Sequence, residues 1–155
     1  YQPLLVLAEH GEPRCWQRIA RYVSRYDDWP VLHYGETESL ALLRMAQRQG
    51  ISEQQQARLR RRLVDVHARI RQHWRLPLNS YGLKSVASWR GFQWGQSGVD
   101  GAHALLWWRH WQGEGPERRG SSHALRWIFQ YNRDDCRATW AVADWLRHQD
   151  QAGGS

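Results

Sequence analysis

Hydrophobic and polar positions alternate between two periods along this chain, and the switches divide it into elements. Pro3–Ala8 (PLLVLA) is a short unbroken apolar run, which predicts a buried strand. Beyond the Gly11–Pro13 break, Trp16, Ile19, Ala20 and Val23 recur at helical spacing, predicting an amphipathic helix to about Tyr26. Trp29–Tyr34 (WPVLHY) is a second strand. From Glu36 to Gln49 the period is helical again, with Leu40, Leu43 and Ala46 on one face and Gly50 as the stop. Ser52 opens another helix, with Gln55 placed as its capping-box partner. Leu63–Val66 (LVDV) is a short apolar stretch interrupted by Asp65. Pro77 ends the helix that follows, and Ser80 caps the next, from Tyr81 to Arg90, which stops at Gly91.

The second half is helical with polar breaks. Phe92–Asp100 is Gly-rich and predicts a loop, Ala102–Trp111 a helix dense in aromatics, and Gly113–Gly120 a polar linker. Ser121 or Ser122 caps a last helical region that ends near Arg147. The expected division is one domain over 1–149 and a disordered tail over 150–155, with Gln151–Ser155 its polar end. No internal repeat is present. Two strands among so much helix is a short inventory for a complete α/β domain, and the expectation is that part of a sheet is missing.

One face of the last helical region carries an anomaly. Ile128, Tyr131, Asp135, Ala138, Val142 and Trp145 follow at steps of three and four residues, so Asp135 sits in the middle of an apolar stripe. A carboxylate there needs a cation or hydrogen bonds to offset its desolvation. Tyr131, one turn earlier, points its hydroxyl toward the same side, and Arg133 or Arg137 offers an alternative salt bridge. A second candidate is His33-Tyr34-Gly35-Glu36-Thr37-Glu38, where a strand gives way to a helix; strand ends in α/β sheets are where sites gather. Glu38 also suits a first helical turn through the helix dipole alone. His33 with Glu38 makes no zinc site, since no His or Cys recurs at ligand spacing.

Composition narrows the classes. The 155 residues, 41% hydrophobic, fit one globular domain. No apolar run reaches the length of about 18 residues that a membrane span needs, and nothing at the N-terminus has the form of a signal peptide. Two cysteines, Cys15 and Cys136, are too few for a disulfide framework and fit reduced thiols of a cytoplasmic protein. The absence of an initiator Met points to a processed chain or a piece of a longer one. A net charge of +7 and a pI near 10.1 point to a polyanionic partner, nucleic acid first. Of 22 basic residues only Lys84 is lysine; arginine's planar fork suits phosphate, although a GC-rich coding bias would raise arginine without function. Arg58, Arg60, Arg61 and Arg62 form either a solvated helix face or a phosphate-contacting one.

Several of these segments carry a family resemblance. Tyr131-Asn-Arg-Asp-Asp135 matches the Y-x-x-x-D motif of the tyrosine subclass of DEDD-type 3′–5′ exonucleases. His33–Glu38 resembles their second motif, in which a His or Asn precedes the catalytic acid on the next helix. Leu63–Val66 and Ser80–Ala87, followed by Gly91-Phe92, resemble the segments between. Together, HYGETE, the VD segment, YGLKSVA with GF-W, and YNRDDCRATWAVADWL resemble the RNase H-like domain at the C-terminus of bacterial RecB-like nucleases, over nearly the whole chain. Glu38 stands where most of the superfamily has Asp. The first motif, D-x-E on an opening strand, has no counterpart before His33, since Glu9 and Glu12 follow the first apparent strand.

The resemblance implies an α/β, RNase H-like (exonuclease-type) fold, here N-terminally truncated and helix-rich with a reduced sheet, Tyr1–Ala8 being its third strand. It implies hydrolysis of phosphodiester bonds in DNA or RNA at a two-metal Mg²⁺ or Mn²⁺ site, incomplete with two of four acids, so that weak metal binding and little turnover are expected, and an upstream RecB-like domain as partner. Asp135 would bind metal directly, Glu38 through water, and Tyr131 would orient the attacking water. His33, Lys84 and Arg133 would contact nucleic acid, and Asp65 would be structural. Restoring an upstream D-x-E strand should then raise activity. The alternative is a non-catalytic Arg- and Trp-rich module that binds nucleic acid or protein.

Overall fold

The computed structural model describes residues 1–5, 11–115 and 122–152. Among these the elements run α1 (Gly11–Arg25), β1 (Val31–His33), α2 (Glu36–Arg48), α3 (Glu53–Arg62), β2 (Leu63–Asp65), α4 (Val66–His73), α5 (Leu83–Trp89), α6 (Gly101–Gly113) and α7 (His123–Ala152). Pro13 lies in the first turn of α1, where its missing N–H removes no intrahelical bond. α2 ends before Gly50, whose φ of 71° only glycine takes without strain. Ser52 and Gln55 form the expected capping box of α3, each side chain meeting the other's backbone N–H.

β1 and β2 pair in parallel, with Val31 opposite Leu63, Leu32 opposite Val64 and His33 opposite Asp65. Parallel neighbours require a crossover, and α2 with α3 supplies it. The helix-rich α/β architecture with a reduced sheet is as expected; the small sheet is this one pair among the described residues.

Two apolar clusters hold the helices together. Val66, Ile70, Val86, Ala87, Ala138, Val142 and Leu146 are buried as one core, where α7 lies against α4 and α5. Trp16, Ala46 and Leu59 centre a second, joining α1, α2 and α3. Charged side chains tie this second unit at both ends. Glu12 at the start of α1 accepts from Arg48 Nε (2.9 Å) and Nη2 (2.8 Å) at the end of α2. Arg62, from the arginine run, donates to the carbonyls of Val23 (2.8 Å), Tyr26 (2.5 Å) and Trp29 (3.0 Å). These carbonyls lie at and just past the C-terminus of α1, where backbone acceptors run out of intrahelical partners. Arg62 is therefore a helix clamp, and Arg58 pairs with Asp27 at 3.2 Å. Arg62→Ala should cost about 1.5–3 kcal/mol, the range for hydrogen bonds to charged groups, and Arg62→Lys should not restore it because one ammonium cannot span three carbonyls. Urea unfolding of the two variants checks this; wild-type midpoints for both would overturn the clamp.

Several elements depart from expectation. Of the strand expected at Pro3–Ala8, residues 3–5 have no regular structure and residues 6–8 lie outside the described residues. α4 stops at His73, four residues short of Pro77, because Trp74 turns to extended backbone (φ −129°, ψ 144°) and packs on Trp145 at 5.5 Å. α5 starts at Leu83, not Tyr81; Tyr81 is retained in the turn by Leu76 N donating to its hydroxyl (2.8 Å) and Tyr34 donating to its carbonyl (2.6 Å). Ser80 Oγ instead accepts from Gly82 N at 3.2 Å. α6 begins one residue early with a capping box of Asp100 and His103 that the pattern did not disclose. Part of the expected linker, residues 116–120, lies outside the described residues, as does Ser121. Ser122 precedes α7, but its buried hydroxyl makes no hydrogen bond. α7 runs past Arg147 into the tail expected to be disordered, as far as Ala152, with Asp150 paired to Arg69. Residues 153–155 lie outside the described residues.

Candidate active site

The turn between β1 and α2 is fixed from three sides. Gly35 has φ 93°, a conformation that side chains resist. His33, buried at the end of β1, places Nδ1 2.6 Å from the Gly35 carbonyl, and in the Nδ1–H tautomer it donates there. Asp65, its partner across the sheet, accepts from Gly35 N (3.1 Å) and, as N-cap of α4, from Ala68 N (3.0 Å). Burial alone would raise the Asp65 pKa. The Ala68, Gly35 and His67 amides and the nearby His33 outweigh it and hold the carboxyl below its usual range. The expected structural role of Asp65 is what the geometry provides, and its consequence is the placement of Glu38 in the first turn of α2.

Removing this cap should cost about 1–2 kcal/mol. Because the folded-state pKa is depressed, the ionised carboxylate contributes stability above the unfolded value near 3.9, and that contribution fades as pH falls through the folded pKa. The difference between wild type and Asp65→Asn should therefore be full at pH 7 and shrink below about pH 4. Thermal melts across pH 2.5–7 on the order of half-unit steps read it; a difference constant to the lowest pH would exclude the charged cap.

Asp135 lies half-buried on α7, with the Tyr131 hydroxyl donating to it from one turn earlier. Burial is the largest influence and pushes its pKa up, to about 6; Lys84 and the Tyr131 bond act against burial, while Asp134 and Glu38 act with it. Glu38 thus reaches the same electrostatic neighbourhood from α2, and Lys84 from α5. The Lys84 ammonium sits 5.4 Å from the centroid of the Tyr131 ring and 5.3 Å from that of Trp94. Burial, then Asp135 and Asp100, raise the Tyr131 pKa, so the phenol stays protonated at neutral pH.

The six residues singled out in the sequence therefore take different positions. Glu38, Tyr131, Asp135 and Lys84 converge. His33 is nearby but faces inward, with 9% of its surface exposed. Arg133 is exposed and its Nε lies 3.9 Å from Asp134, so Asp134 rather than Asp135 has the arginine neighbour. Asp134 escaped notice in the sequence: it is buried and accepts from Gly95 N at 3.1 Å. A Cβ at Gly95 would lie 2.9 Å from Asp134 Oδ2 and 2.8 Å from Gln130 Nε2, so a larger residue there would displace these two side chains. That loop carries Trp94 to Lys84. Tyr34 was a second omission; its hydrogen bond to the Tyr81 carbonyl ties the β1 end to the turn before Lys84. The signal for both was a glycine or tyrosine in a conspicuous segment, without any indication of its distant partner.

A parallel strand end, a glycine turn into α2, and a Tyr131–Asp135 pair on a closing helix are thus assembled around one small region. Residues 2–147 match the model of the RNase H superfamily family RNase_H_2. The chain belongs to the RNase H superfamily. No curated protein and no solved structure matches it. As an RNase H-like domain it is a nuclease-like domain whose superfamily implies nucleic acid as substrate and, generally, divalent metal in catalysis. No helix among the described residues is long and apolar enough to cross a membrane.

Proposed function

We propose that this RNase H-like chain is a divalent-metal-dependent phosphodiesterase of the tyrosine-subclass DEDD type, acting on nucleic acid from the 3′ end. The observation that carries the reading is the half-buried Asp135 bonded to Tyr131, with Glu38 and Lys84 brought to it from two other elements. Glu38 adds to the cost of ionising Asp135, and a cation between the two carboxylates would relieve it. Both are hard oxygen donors, and Mg²⁺ is commonly held by one or two carboxylates together with substrate phosphate. Among the described residues no group of three or more His, Cys, Asp or Glu forms a cage for an ion. Glu38 and Asp135 would be the protein's ligands to Mg²⁺ or Mn²⁺, with substrate phosphate completing the coordination. Such an ion supplies Lewis-acid polarisation of the scissile phosphate.

The chain's own groups do the rest. Tyr131, with its hydroxyl oriented by Asp135, positions the attacking water. The Lys84 ammonium, steadied against the Tyr131 and Trp94 rings, offsets phosphate charge. Arg133 offers an exposed fork to a neighbouring phosphate, and His33 holds the Gly35 turn that sets Glu38.

The test is degradation of 3′-labelled and 5′-labelled single-stranded DNA and RNA with Mn²⁺, and with EDTA as control. Stepwise loss from the 3′ end that EDTA stops is the expected result. Internal cuts alone would overturn the exonuclease assignment, and cleavage indifferent to EDTA, or none, would overturn the metal-dependent one.

A further inference from the structure

Apart from Tyr131 and Arg133 at its end, the arm formed by α6 and the first turns of α7 is not used by the chemistry above, yet it concentrates aromatic rings and positive charge. Across residues 101–113 and 123–133 the charged side chains are Arg109, Arg126 and Arg133, with His103, His110 and His123; the bordering acids Asp100 and Glu114 lie 2.8 Å from His103 and 3.5 Å from His110. Trp107 of α6 meets Trp127 of α7 with ring centroids 5.5 Å apart. His103 extends this row beyond Trp107 at 6.3 Å, and His123 beyond Trp127 at 6.1 Å. Trp127 remains 44% exposed, less than Trp29 and Trp140 elsewhere on the chain, but it alone of the three stands in this row of rings.

The row also has a direction. His123, Trp127, Tyr131 and Asp135 follow one another at four-residue steps, so they form one ridge of α7 that winds gradually around the helix. Eight residues at 1.5 Å each put Trp127 about 12 Å from Asp135 along the helix. That distance corresponds to roughly three to four stacked nucleotides at about 3.4 Å apiece.

We propose that this arm is a base-stacking platform for single-stranded nucleic acid, with Trp127, backed by Trp107, stacking a base about three to four nucleotides from the bond presented to Asp135. The inference builds on the nuclease reading and adds the form of the substrate to it. Every base offers a π-face, so stacking on tryptophan is indifferent to sequence, and the arginines carried by the two helices suit a phosphate backbone. A base paired within a duplex has both faces covered and cannot use such a platform. Leu105 and Leu106, 50% and 60% exposed on α6, would equally suit a protein interface; the row of rings and the ridge running to Asp135 favour nucleic acid.

The experiment measures binding of the full chain to labelled dT12, dT3 and a 12-base-pair duplex in EDTA, for wild type, Trp127→Ala, Trp127→Leu and Trp127→Phe. Trp127→Ala and Trp127→Leu should weaken dT12 about tenfold, within the range for loss of one stacked base, and change dT3 and duplex less than about twofold. Trp127→Phe should restore most of the affinity, since it returns a ring. Circular dichroism confirms that each variant is folded, and gel filtration reads its oligomeric state. Equal dT12 binding by wild type and Trp127→Ala overturns the platform, as does Phe behaving like Leu, or a loss equally large on duplex. A change in oligomeric state without a change in dT12 binding assigns the surface to protein contact and also overturns it. Cleavage of dT12 with Mn²⁺ is scored separately. Cleavage with Trp127-independent binding sinks the platform alone; Trp127-dependent binding without cleavage sinks the nuclease reading alone.

Discussion

Asp135→Asn should lower the rate of Mn²⁺-dependent hydrolysis by about three orders of magnitude while leaving the protein folded. A metal ion supplies several kcal/mol of transition-state charge stabilisation, and each 1.36 kcal/mol is about tenfold in rate. Asparagine keeps the size and the bond to Tyr131 but removes the anionic ligand. The same variant makes an opposite prediction for stability. Asp135 has a raised pKa, first through burial, so its folded form resists ionisation up to about pH 6 while the unfolded chain ionises near 3.9. Above pH 6 the wild type carries that penalty in full; below about pH 4 both states are protonated and the penalty vanishes. In EDTA at pH 8, Asp135→Asn should melt higher than wild type, by an amount on the order of 1 kcal/mol once solvent screening is allowed for, and the gap should close toward pH 4. Mn²⁺ should raise the melting temperature of the wild type and not of the variant. A variant that cleaves at the wild-type rate excludes Asp135 as a ligand; one that melts lower in EDTA excludes the desolvated carboxylate.

That conflict between burial and charge is what made Asp135 visible in the sequence. An acid inside an apolar helical stripe contradicts its own neighbours, and the contradiction is local, within a few turns of one helix. The same holds for the Ser52–Gln55 cap and the Gly50 stop, where cause and effect lie within a few residues. What stayed hidden depends on partners far apart in the chain. Asp134 stands beside Asp135 and is buried more deeply, but its partner is Gly95, 39 residues away, so nothing near it shows what the carboxylate is for. Arg62 looked like any arginine in a charged run, because the carbonyls it clamps lie at and beyond the end of α1, 33 to 39 residues earlier. Leu63–Asp65 is too short to show a strand period, and pairing with β1 makes it one. The boundary of α5 was misplaced for the same reason: Tyr81 is retained in the turn by Tyr34, 47 residues earlier.

The second large effect follows from where the two apolar clusters meet. Asp135 and Tyr131 belong to α7, whose later turns are anchored by Ala138, Val142 and Leu146 in the first cluster. Glu38 belongs to α2, anchored by Ala46 in the second. The acids thus lie across a seam, and their separation depends on both clusters holding still. Ile70 is fully buried in the first and Trp16 is 9% exposed in the second. Ile70→Ala should cost about 2–5 kcal/mol and Trp16→Ala about 3–5 kcal/mol. Against a total stability of about 5–15 kcal/mol for a domain, either removes a large share. Activity separates the two at temperatures where both variants stay folded. Trp16 touches nothing at the site, yet its loss loosens α1 against α2 and lets Glu38 drift, so Trp16→Ala should weaken the Mn²⁺ dependence of the folded protein. The conservative Trp16→Phe should keep most of both properties. Urea unfolding and a Mn²⁺ titration of the rate measure them together. Unchanged stability in Trp16→Ala would show that α1 is not part of the core, whereas lost stability with an unchanged Mn²⁺ titration would show that Glu38 is placed by the Gly35–Asp65 turn alone.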